Sequence, residues 1–158
     1  MTPSICVGTG LRRRIAGHLR RAGGREVGGI LLGEQLVPGS FRLVDFSIDE
    51  VSGSAAHFCR STEFHGEVLT RFFERTGSDF RRYNYLGEWH SHPRYPVQPS
   101  VQDCKTMLDL VGGERDIPFA VLLVVRLDFL WFLKASATIF SRHRSPENMV
   151  ISWHEGCE

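Results

Sequence analysis

No apolar stretch in this chain approaches the length of a membrane-spanning helix free of charges; Arg126 and Asp128 interrupt the longest hydrophobic region. Charge of one sign is also missing. Nineteen Lys and Arg stand against eighteen Asp and Glu, a net +1, so no bulk electrostatic argument points to nucleic acid or to an anionic membrane. Cysteine is sparse and scattered, at Cys6, Cys59, Cys104 and Cys157, with no C-x-x-C pair. Met1 to Gly10 is short and mixed, and arginines follow where a signal peptide would carry its apolar core. The expectation is therefore a cytoplasmic protein with free thiols. Internal repeats, low-complexity tracts and long linkers are absent too. The 158 residues, 42% of them hydrophobic, suit one domain over 1–158 with one sizeable core.

What is present reads as mixed α and β. Leu11, Ile15 and Leu19 recur every four residues and predict a helix over 11–22, stopped by Gly23-Gly24. Its arginines (Arg12, Arg13, Arg14, Arg20 and Arg21, with Arg25 just beyond) read as a solvated face. Residues 27–35 read as a buried strand, and 41–48 as a second with an irregularity. Phe64, Val68 and Phe72 mark a helix over 62–76, ended by Gly77 and Ser78. A strand over 85–92 stops at Pro93, and 94–99, with two more prolines, is a loop. Ser100 reads as the N-cap of a third helix whose buried stripe is Val101, Cys104, Leu108 and Val111. Residues 118–125 and 129–140 are the strongest strands, with a turn at Asp128, and a short strand is expected at 150–153. This order predicts one sheet with helices packed against it.

Chemistry concentrates in Gly87-Glu88-Trp89-His90-Ser91-His92-Pro93. Side chains alternate along a strand, so His90 and His92 share a face and their rings can converge on one ion. Taken alone, such a pair reads as half-buried, hydrogen-bonded histidines. The segment Ser100-Val101-Gln102-Asp103 adds to it. It is a capping box, and it also places a carboxylate close in sequence to the histidine strand. Asp103 would complete a His-His-Asp set that leaves a fourth position open, as catalytic zinc sites require. Glu26 is the candidate proton acceptor; by itself it reads as a surface carboxylate at a helix–strand junction. Beside it, Gly28, Gly29 and Gly33 in an apolar strand suggest close backbone approach or a bulge. Trp89 and Ser91 face the other side and read as packing groups. His18, His57, His65, His143 and His154 show no ligand spacing.

Together these residues resemble the JAMM, or MPN-plus, metalloproteases: Glu26 in an E-x-G-G-x-L-x-G context, then His90-Ser91-His92-Pro93, then Ser100 and Asp103 after seven intervening residues. The resemblance runs from about Leu11 to Phe140. It implies an α/β/α sandwich around a curved mixed sheet, similar to the cytidine deaminase fold. It implies one Zn²⁺ per chain on His90, His92 and Asp103, Glu26 as general base and acid, and Ser100 as oxyanion donor. It also implies peptidase or isopeptidase action at the C-terminus of a ubiquitin-like protein. The tail could add as a strand to an exposed sheet edge; the loop from Val51 to Thr62 reads either as its binding segment or as an ordinary surface loop. The brevity of the chain looks like the bacterial stand-alone branch, whose members occur beside activating-like and conjugating-like enzymes in phage-defence operons. Other readings are a protease that trims a sulfur-carrier protein, a non-catalytic MPN scaffold, and a RadC-type domain. His90-Ser91-His92-Pro93-Arg94-Tyr95 departs from the H-N-H-P-S-G pattern of the last.

Overall fold

A computed structural model describes residues 1–49, 62–113 and 115–157. In chain order these form β1 (Ser4–Val7), α1 (Thr9–Ala22), β2 (Gly28–Val37), β3 (Ser40–Phe46), α2 (Thr62–Arg75), β4 (Tyr83–Ser91), α3 (Val101–Gly112), β5 (Phe119–Asp128), β6 (Phe132–Ser141) and β7 (Glu147–Trp153). A single 3₁₀ turn, Glu155–Cys157, follows. The expected single α/β domain with a mixed sheet is present.

The sheet differs from an open sandwich layer. Its strands run β1-β3-β2-β4-β5-β6-β7, and β7 pairs back onto β1, closing a barrel. The pairs β1–β3, β1–β7 and β4–β5 are parallel and the others antiparallel. Closure depends on β1, whose four residues are too few to show a sequence period. Every described strand therefore has a neighbour on both sides, but β3 pairs with β1 only over Ser40–Arg42 and β6 with β7 only over Ala137–Ile139, so closure is partial along those two strands.

Helices occupy both faces. Ile15, Leu19 and Ala22 of α1 pack in one cluster with Val7, Leu31, Phe46, Trp89, Leu123 and Val125 of the sheet. On the opposite face, Phe72 of α2 meets Ile30 and Leu32, and Met107 and Val111 of α3 meet Ala120, Leu122, Val124 and Phe140. Burial of these apolar faces is the main driving force for the fold. The buried stripe of α3 is shifted from the expected one. Met107 and Val111 are buried and Cys104 is half-buried, whereas Val101 is 90% and Leu108 43% exposed.

Local signals account for the element ends. Gly23 adopts φ 61° and its N–H donates to the Leu19 carbonyl, ending α1. Gly77 and Ser78, with φ 68° and 57°, end α2. The irregularity expected in β3 is a pair of register shifts against β2, at Leu32/Gly33 and Gln35/Val37. Gly29 is required by a close approach. A Cβ there would collide with the Ser47 carbonyl oxygen, which also accepts from the Trp89 indole at 2.8 Å.

The cysteines depart from expectation. Cys6 on β1 and Cys157 after β7 form a disulfide with Cα atoms 5.5 Å apart, within the usual range. Their 151-residue separation hides the pairing in the sequence, and closure of the barrel creates it. Among the described residues only Cys104 is a free thiol. No helix of the described residues is long and apolar enough to cross a membrane.

Candidate metal centre

The site lies where β4 ends. His90 and His92 point to one face of β4, as their spacing requires, and both are 6% exposed. Their Nε2 atoms are 3.1 Å apart. Asp103 enters from the first turn of α3, with Oδ2 3.3 Å from His90 Nε2 and 3.4 Å from His92 Nε2. A tetrahedral ion bonded at about 2.0–2.1 Å needs neighbouring ligands about 3.3 Å apart. The triangle His90–His92–Asp103 has that size, and its two imidazoles and one carboxylate are a zinc-type donor set.

Two of the three candidate ligands, His92 and Asp103, are held from behind. The His92 N–H donates to the Val125 carbonyl at 2.8 Å, fastening the end of β4 to β5. His92 Nδ1 lies 2.9 Å from the Pro96 carbonyl, so Nδ1–H faces that oxygen and Nε2 faces the ion position. Pro96 sits in the expected proline loop, which is anchored by hydrogen bonds from Arg126 to the Tyr95 carbonyl and from the Ser136 hydroxyl to that of Val97. Asp103 serves twice. Its Oδ2 also accepts from the Ser100 N–H at 2.8 Å, while its own N–H donates to Ser100 Oγ at 3.0 Å, closing the capping box predicted from the sequence.

The electrostatics bind the cluster together. Burial pushes the Asp103 carboxyl up, but hydrogen bonds from His90 and His92 outweigh it and hold the group well below the usual carboxylate range. The hydrogen bond to Asp103 raises His92, burial opposes it, and the Pro96 carbonyl and the charge of Glu26 add to the rise.

The β2–β4 register brings Glu26 to the same end of β4 as the histidines. Gly28 pairs with His90, and the Val27 N–H and carbonyl bond Ser91 through its Oγ and N–H at 3.0 and 2.8 Å. Continuing this register sets Glu26 opposite His92, half-buried and outside the ligand triangle. Ser91 and Trp89 are the inward-facing packing groups expected of them. Ser100 is exposed one turn from Asp103. Residues 50–61, which hold most of the expected binding loop, lie outside the described residues.

Residues 9–154 match the family described as prokaryotic homologs of the JAB domain. The chain belongs to that family. The structural comparison agrees on the fold of this JAB domain. The solution structure of protein DSY2949 from Desulfitobacterium hafniense superposes with a TM-score of 0.69 at 17% identity, covering 94% of this chain and 92% of the other. No curated protein matches this chain in sequence.

Two further features escaped sequence reasoning. A cavity of about 810 Å³ opens between α2 and α3, lined by Leu69, Phe73, Tyr85, Glu88 and Leu110, and includes none of the three ligands. His154 lies 3.9 Å from Cys6 Sγ, so it has a sulfur neighbour that its position in the sequence does not suggest.

Proposed function

We propose that this JAB domain is a zinc-dependent peptidase or isopeptidase that cuts after the C-terminus of a ubiquitin-like protein, in maturation or deconjugation. The convergence of His90 Nε2, His92 Nε2 and Asp103 Oδ2 at 3.1–3.4 Å, with Glu26 alongside but outside the triangle, carries the reading. When bound, zinc acidifies water and polarises a carbonyl. Glu26 accepts the proton of the attacking water and returns it to the leaving amine. Ser100 can turn its hydroxyl proton toward the carbonyl oxygen of the scissile bond, because among the described residues its Oγ is engaged as an acceptor by the Asp103 N–H. His92 and Asp103 hold their positions through Pro96, Val125 and the helix cap. A bacterial conjugation system linked to phage defence is the setting this reading favours, with activating-like and conjugating-like enzymes as neighbours.

The test compares wild type with Glu26→Gln on a ubiquitin-like protein fused through its C-terminus to a reporter. Wild type should cleave and a chelator should stop it. Glu26→Gln should keep about one zinc per chain and lose about 10²–10⁴ in rate. Equal cleavage by the variant, or chelator-resistant cleavage by wild type, overturns the proposal.

A further inference from the structure

The β5–β6 hairpin ends in Phe129-Leu130-Trp131-Phe132, exposed to 85, 70, 77 and 51%. Its turn closes through the Trp131 N–H to the Asp128 carbonyl, and Phe129 and Leu130 take φ of 53° and 68°. Two successive positive φ angles are the geometry for which hairpins favour Asn-Gly, because a bulky side chain is strained there. The protein thus presents two large apolar side chains at the positions least suited to them, in full contact with water.

The tip is not isolated. Arg20 of α1 donates to the Leu130 carbonyl at 2.6 Å, fixing the hairpin against the arginine face of the helix. A groove of about 310 Å³ runs between them, lined by Thr9, Arg12, Arg13, Arg20, Trp131 and Leu133. The hairpin also continues into the metal centre. Val125 holds His92, Arg126 donates to the Tyr95 carbonyl, and the Tyr95 ring lies 6.0 Å from that of His92 and is 57% exposed. Four residue steps along the strand, about 13 Å, take the chain from Val125 to Phe129.

We infer that the hairpin tip and the arginine face of α1 form a docking site for an acidic peptide segment bearing bulky apolar side chains. The aromatic and leucine side chains receive its apolar groups, and Arg12, Arg13 and Arg20 face its carboxylates. The site rests on the metalloprotease reading for its purpose, which is to hold a protein substrate whose scissile bond enters between His92 and Ser100. Charge complementarity and continuity with the metal centre favour such a segment over a lipid surface or a second copy of the chain.

The probe is a labelled peptide alternating glutamate with leucine and phenylalanine, titrated into the Glu26→Gln protein so that no turnover is needed. Binding should perturb Trp131 fluorescence, weaken with added salt and vanish when lysine replaces glutamate in the peptide. Arg13→Glu should weaken it about tenfold. The decisive variant is Phe129→Asn with Leu130→Gly. It suits the turn better, so the melting temperature should hold or rise while peptide binding falls at least about tenfold. Unchanged binding by that variant overturns the site. Tip-dependent binding to phosphatidylserine vesicles without peptide binding overturns it in favour of a membrane. A dimer that this variant dissolves overturns it in favour of self-association. Peptide binding without cleavage of any fusion refutes the protease and leaves the docking site standing; cleavage without peptide binding does the reverse.

Discussion

Asp103 carries two duties that a single substitution can separate. As the proposed metal ligand it needs its negative charge; as a cap it needs an oxygen facing the Ser100 N–H. Asp103→Asn preserves an acceptor and removes the charge. It should melt within about 1 kcal/mol of wild type yet lose its stoichiometric zinc, as read by metal analysis and thermal denaturation on the same sample. Retained zinc would remove Asp103 from the ligand set. The histidine pair and the capping box were legible because both are local: two residues apart on a strand, three apart at a helix start. Glu26 was not legible from its own surroundings, because its place opposite His92 depends on the β2–β4 register. His154 and its sulfur neighbour were illegible for the same reason at a greater sequence distance.

Among the elements, β2 does most to position the site. At one end Gly29 lets Ser47 approach; at the other Glu34, buried at 3% exposure, accepts from Arg42 of β3 at 2.7 Å and from Arg82 at 2.6 Å. Gly29→Ala should destabilise the fold by about 1–3 kcal/mol and lower zinc affinity, since β2 must move against β4. Denaturant unfolding and chelator competition would measure the two effects, and no change in either would show that Ser47 yields freely. Burial pushes Glu34 up, but the two arginines outweigh it and hold its pKa below the ordinary 4.5. A carboxyl lowered in the folded state contributes stability above its unfolded value and loses it as pH falls through the folded one. Glu34→Gln should therefore cost about 2 kcal/mol at neutral pH, and the gap to wild type should narrow as pH drops below 4.5. A constant gap across that range, in melts followed by circular dichroism, would exclude the carboxylate as its source. Helices and long strands were readable from their periods and stop signals. The shifted stripe of α3 was not, because Leu108 and Met107 are equally apolar and only the packing against β5 and β6 selects between them.

For the whole molecule, closure is the property the sequence concealed. It needs β1, a four-residue strand, and it brings Cys6 to Cys157. Because that bridge spans 151 residues, reducing it should lower stability by about 2–4 kcal/mol through a less restricted unfolded chain. Zinc content should not change, since no ligand lies near it in the strand order. Equal denaturation midpoints for the oxidised protein and a Cys6→Ser, Cys157→Ser variant would mean the bridge does not constrain unfolding. The same closure has a topological consequence. With Cys6 and Cys157 only 5.5 Å apart at their Cα atoms, the described ends of the chain are neighbours. A linker of a few residues could join them, and the chain could be reopened in the exposed turn at Arg144-Ser145. The circularly permuted protein would start at β7 and run through β1 without a break. It should still assemble the histidine strand and the Asp103 helix, because the order in which those two are read is unchanged.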